Sequence, residues 1–223
     1  MSQTIEMPLF PLNTVLFPGM PLNLHIFEDR YKIMMSECIE KRRPFGVVLI
    51  AQGEEALGPL ADPYFIGCSA QIVQVQPLGQ GQMNIMAVGK ERFQIVSLDR
   101  DTRPYLTSMV EPFPIRDTDH EQTLANSTRV RAWLKRYLEI LKRTGQIEVD
   151  VNQMPNNPVA LAYLSAVLLQ IPLSQKQELL AMSVVHELLA ELRSIYRREV
   201  SLLDTLLDPP DDDADDEATY SLN

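Results

Sequence analysis

The sequence predicts an α+β protein: a barrel-like set of short strands with one helix inserted near its beginning, followed by a bundle of helices. Three observations lead there. Up to about residue 115, short apolar segments of mostly period 2 alternate with Pro and Gly turn signals, as in strands with one buried face. A single stripe of period 3.6, at Tyr31, Met34, Met35, Cys38 and Ile39, interrupts that run. From Asp117 onward the spacing becomes helical and stays so.

The elements follow in order. Pro8, Pro11, Pro18 and Pro21 stand among large apolar residues, which gives an extended backbone repeatedly denied ladder donors, as at sheet edges and bends. Leu22, Leu24 and Ile26 alternate with Pro21, Asn23 and His25 and make a strand. In the inserted helix, Glu28 and Asp29 lie at the positive end and Lys41, Arg42 and Arg43 at the negative end, with Pro44 as the stop. The run 45–51, Phe-Gly-Val-Val-Leu-Ile-Ala, reads as a strand buried on both faces. Residues 52–63 form a long loop rich in Gly and Pro. In the strand 66–75, the apolar face switches after Ile72, the mark of a bulge or a barrel corner. Gly79-Gln80-Gly81 turns the chain into a strand at 83–88, Gly89-Lys90-Glu91 predicts a second turn, and strands at 92–98 and 105–110 complete the meander. A closed or nearly closed barrel leaves such strands without exposed edges.

In the helical half, Leu124, Val130, Trp133, Leu134, Tyr137, Leu138 and Leu141 form a stripe that ends at Gly145, a left-handed C-terminal cap. Asn157-Pro158 caps and opens a helix over 159–170. Ser174-Gln175-Lys176-Gln177 reads as a capping box for a short helix over 175–181. A long helix spans about 183–207, with Glu199 breaking its apolar seam. Residues 208–223 are rich in Asp and Pro and predict a disordered acidic tail. The organisation is therefore a β lobe at 1–115, a helical lobe at 116–207 and the tail.

Several motifs resemble those of one family. Pro8-Leu9-Phe10-Pro11-Leu12-Asn13-Thr14-Val15-Leu16-Phe17-Pro18-Gly19-Met20-Pro21, followed by a helix start at Ile26-Phe27-Glu28-Asp29-Arg30-Tyr31, resembles the opening of the Lon protease N-terminal (substrate-binding) domain, which also occurs in cereblon and in stand-alone bacterial proteins. The family's Gly-Thr-Xaa-Ala strand and Gly-Xaa-Xaa-Arg turn are matched by Gly67-Cys68-Ser69-Ala70 and Gly89-Lys90-Glu91-Arg92. Leu173 to Leu180 resembles its helical half. The resemblance covers roughly 7–207. It implies a PUA-like β pseudo-barrel and a non-catalytic protein-recognition module, linked to proteolysis, that binds unfolded segments or protein partners, a protease among them.

The remaining chemistry agrees with recognition. The formal charge of the 223 residues is −10, but the tail's seven acids account for most of it and leave about −3 on the body, which gives no electrostatic reason to expect nucleic acid. The alternative is a PUA-like RNA-binding protein, for which a basic stripe with interleaved aromatics is missing. No phosphate-binding loop of the Gly-Xaa4-Gly-Lys-Ser/Thr type occurs and no serine has a recognisable nucleophile setting, so no ATPase or protease activity and no nucleotide cofactor are expected. His186-Glu187 begins like a zinc-protease helix, but Ala190 stands where the second ligand belongs, so no metal is expected. Cys38 and Cys68 read as reduced core thiols of a cytoplasmic protein, and the longest apolar run, 159–173, is too short to span a membrane. For partner binding the candidates are Tyr64 and Phe65, which end the long loop, and Arg92, expected to close a turn.

Overall fold

The computed structural model describes residues 4–53, 60–143 and 154–207. Seven strands and five helices follow one another in these segments: β1 (Ile5–Leu12), β2 (Pro21–Ile26), α1 (Asp29–Glu40), β3 (Phe45–Gln52), β4 (Asp62–Pro63), β5 (Ile66–Gly79), β6 (Gln82–Asp99), β7 (Thr107–Pro112), α2 (His120–Arg143), α3 (Pro158–Leu168), α4 (Leu173–Ala181) and α5 (Val185–Leu207).

The strands close on themselves. Antiparallel pairing runs from β1 through β7, β6 and β5 to β3, and β3 returns to β1 in parallel, Leu9 opposite Gly46 and Leu12 opposite Leu49. This ring of five leaves two strands outside it, β2 on the first half of β6 and the short β4 on the end of β3. The α+β class and the barrel expected from the sequence are therefore present. A parallel return is possible because α1 supplies the crossover between β1 and β3. Tyr31, Met34, Met35 and Cys38 of α1 are buried in the cluster that holds Phe10, Phe45 and Tyr105, whereas the alternate residues Leu9, Val48, Phe93 and Leu106 form a separate cluster, so the inserted helix packs against the opposite face of the ring strands. Ile39, the fifth residue of the expected stripe, stays 36% exposed.

Three expectations need correction. Gly89-Lys90-Glu91 is no turn: β6 runs unbroken for 18 residues, from the arm it shares with β2 into the ring beside β7. Gly89 serves another purpose. Its N–H donates to the Met20 carbonyl and its own carbonyl accepts from Gly19, so the strand lies directly on the 17–20 loop; a Cβ here would sit 2.3 Å from the Phe17 carbonyl oxygen. The second correction concerns α4, which starts two residues earlier than the capping box implies. Its N-cap is Pro172, with no side-chain cap, and Gln177 is buried and donates to the Ile66 carbonyl of β5 at 2.9 Å. The expected long loop is shortened as well, because Gln52 and Asp62 pair across it.

The helices form their own layer. Asn157 caps α3 as expected, accepting from the Ala160 N–H at 3.0 Å. α2 and α5 lie side by side around Leu134, Tyr137, Leu188, Leu192 and Tyr196, and this cluster reaches into the β half to take in Val15, Phe17 and Leu49. Arg116 ties the two halves at the backbone, bonding Ser183 and Val185. The expected cap at Gly145 and the expected tail lie outside the described residues.

Candidate interaction surface

The three residues singled out from the sequence end up in different settings. Tyr64 and Phe65 flank the start of β5; their backbones are held, Tyr64 N–H to the Leu49 carbonyl and Ile95 N–H to the Phe65 carbonyl, while the side chains stay 37% and 63% exposed. Two aromatic rings on a fixed backbone and open to water lose little entropy on being covered. Arg92 is not at a turn and not on the surface. It lies inside β6 at 4% exposure, with one guanidinium nitrogen donating to the carbonyls of Leu180 and Met182 at the end of α4 and the plane over Phe113 at 4.9 Å. Burial lowers its pKa from the ordinary value, a consequence of taking a cation out of water. Arg92 thus clamps the helices onto the barrel.

The outer arm, where β2, β6 and β5 run beyond the ring, carries a shallow groove of about 420 Å3. Register places Asn23, Met86 and Gln74 in one row and His25, Asn84 and Gln76 in the next. This face is uncharged, a bed of amides around one methionine, with His25 Nδ1 and Asn84 Oδ1 2.8 Å apart. Such a face offers hydrogen bonds to peptide groups and none of the cationic contacts that phosphates require.

A second groove, of about 310 Å3, lies between the last turn of α1 and β5 and is lined by Cys38, Ile39, Arg42 and residues 71–75. It involves a residue that the sequence reading passed over. Arg42 adopts φ +48°, and the bonds Arg43 N–H to Cys38 carbonyl and Arg42 N–H to Ile39 carbonyl form a Schellman ending in which this left-handed place ordinarily belongs to glycine. The sequence held a signal in Arg42-Arg43-Pro44: a helix stopped by proline with no glycine to cap it. Lys41 and Arg43 both pair with Glu37, which also accepts from Arg103 and the Tyr105 hydroxyl. Desolvation raises the Glu37 pKa, but Arg103, Lys41 and Tyr105 outweigh it and hold the carboxyl below its ordinary range. Arg42 is exposed and has no carboxylate partner among the described residues.

The thiols and Lys176, which could do covalent chemistry, are engaged in structure. Cys38 and Cys68 are free and buried, and burial pushes the Cys68 thiol up to about 12, far from a nucleophilic thiolate. Lys176, its pKa lowered by burial, donates to the Val167 carbonyl. His186 is half-buried in α5; its backbone carbonyl accepts from Asn126, while its imidazole Nδ1 is buried without a hydrogen-bond partner among the described residues. Among the described residues no group of three or more His, Cys, Asp or Glu could hold a metal ion, and no helix is long and apolar enough to cross a membrane.

Comparison with known proteins bears on what these surfaces serve. The family model described as ATP-dependent protease La (LON) substrate-binding domain matches residues 6–198. Among curated relatives, Lon protease 2 of Herpetosiphon aurantiacus is 29% identical over 207 residues, and the Lon protease of Escherichia coli K12 is 25% identical over 210; each match covers 91% of this chain. The chain spans about a quarter of the length of these relatives. Two solved structures share the fold. A Lon N-terminal domain protein from Xanthomonas campestris aligns at TM-score 0.59 and 24% identity over 85% of this chain and 98% of its own. The N-terminal domain of Mycobacterium avium complex Lon protease aligns at 0.65 and 21%, over 86% and 98%.

Proposed function

Because this chain belongs to the family of ATP-dependent protease La (LON) substrate-binding domains, we propose that it is a non-catalytic module that recognises polypeptide segments and acts in the cytoplasm alongside proteolysis. The observation that carries this reading is the match over residues 6–198, which takes in the ring, the outer arm and nearly all of the helical half. Geometry supports it. The candidate surfaces combine exposed aromatic rings, amide hydrogen-bonding groups and sheet edge, the features by which extended or unfolded chains are gripped. Within this reading Tyr64 and Phe65 are contact residues, and Arg92 is a positioning residue that fixes the helices relative to the sheet.

Titration of fluorescein-labelled, reduced and carboxymethylated lysozyme with the full chain tests it by fluorescence anisotropy. The unfolded probe should bind and native lysozyme should not, and a Tyr64→Ser, Phe65→Ser double variant should weaken binding at least fivefold, since both rings lie outside the core. Equal behaviour of folded and unfolded probe, or salt-sensitive retention of structured RNA in place of protein, contradicts the reading.

A further inference from the structure

The outer edge of β5 beyond Ala70 has no strand partner among the described residues. β3 pairs with β5 only through Phe45, Gly46 and Val47, opposite Ala70, Ser69 and Cys68. Before Phe45 the chain turns away: Pro44 has no donor, Arg42 is left-handed, and α1 departs. The place the next residues of β3 would have taken is the groove bounded by Ile39 and Arg42 on one side and residues 71–75 on the other. The exposed edge itself, Gln71-Ile72-Val73-Gln74-Val75-Gln76, has high β propensity and contains no charge, proline or glycine, so its side chains supply none of the protection that charges and prolines give against an added strand. A bulge at Val73 turns an extra side chain toward the groove, where Val73 is 54% and Val75 37% exposed.

Resting on the recognition reading above, we propose that this edge is where the bound polypeptide lies: an extended segment of another protein adds as a strand to β5, and a carboxylate on that segment pairs with Arg42. Charge selects the occupant. Among the described residues Arg42 is the sole charged one lining the groove, its two neighbours are already engaged by Glu37, and it has no carboxylate partner. The left-handed backbone fits this assignment. Glycine would fill the position without strain, whereas arginine holds a cation at the mouth of the slot. The apolar flanks, Ile39, Val73 and Val75, suit β-branched residues on either side of the acid.

Anisotropy titrations of the full chain with three labelled ten-residue peptides test this: alternating Val and Thr with a central Asp, the same with a central Lys, and the Asp peptide with alternate backbone amides methylated. The Asp peptide should bind at least fivefold more tightly than the Lys peptide, and backbone methylation should abolish binding. Arg42→Gly should weaken the Asp peptide at least fivefold, leave the Lys peptide within twofold and raise Tm, a combination that simple damage to the fold does not produce. Unchanged Asp-peptide affinity in Arg42→Gly, or binding indifferent to methylation, overturns the proposal. It is equally overturned if the peptide binds only after residues 208–223 are removed, which makes the tail the occupant, or if the edge proves to be buried between two copies in sedimentation. Where unfolded lysozyme still binds in those cases, the recognition reading stands and only its location falls; where it does not bind, both fall.

Discussion

Gly89 shows how much of this architecture rests on one missing methyl group. The first half of β6 belongs to the outer arm and the second to the ring, and the strand passes between them flat against the 17–20 loop through two backbone hydrogen bonds. A Cβ placed 2.3 Å from the Phe17 carbonyl oxygen meets backbone rather than a movable side-chain end, so the strand or the loop has to shift. Gly89→Ala should therefore cost about 2 kcal/mol, in the range of overpacked sites, and denaturant titration would register it as a lower midpoint. A midpoint unchanged from the parent would show that the contact is looser than its geometry states. Arg42 presents the opposite case, a residue kept where glycine would be easier on the backbone, and the contrast separates a glycine required by close approach from an arginine held despite its conformation.

At the scale of elements, the junction between sheet and helices depends on Arg92 and Gln177, each reaching from one layer to a carbonyl of the other. Arg92→Leu leaves the Leu180 and Met182 carbonyls without their charged donor, and bonds of that kind contribute about 1.5–3 kcal/mol each. We expect about 3 kcal/mol of lost stability, read by chemical denaturation; a loss under about 0.5 kcal/mol would mean that the helices stay seated without the clamp. The same junction explains what the sequence could and could not tell. The stripe from Tyr31 to Cys38 and the cap at Asn157 were legible because each is decided by neighbours within a turn of helix. Gly89-Lys90-Glu91 has the composition of a turn, yet its conformation is set by a loop some seventy residues earlier in the chain. Gln177 looked like the end of a capping box because nothing local reveals that Ile66 offers it a carbonyl. The exposed edge of β5 was out of reach for the same reason: a strand's outer side is open or covered according to where β3 begins, which is a property of pairing and not of the strand's residues.

Over the whole molecule, all described strands and the inserted α1 precede residue 115 and α2 to α5 follow it, while the apolar cluster around α2 and α5 extends to Val15, Phe17 and Leu49. Such sharing, with Arg92 buried between the layers, makes the barrel and the helices a common support for surfaces that lie at the periphery: the Tyr64–Phe65 rings, the amide face of the arm and the slot beside β5. A rigid support with open edges suits binding without chemistry, since the thiols and the half-buried lysine are engaged in structure. The polypeptide proposed to bind lies along the Tyr64–Phe65 rings and the open edge of β5. Hydrogen–deuterium exchange of the full chain, alone and saturated with reduced, carboxymethylated lysozyme, measures this placement directly. Slowed exchange confined to residues 64–65 and 71–79 is the predicted result; protection confined to α2, α4 and α5, or none at any position under saturating probe, would contradict it.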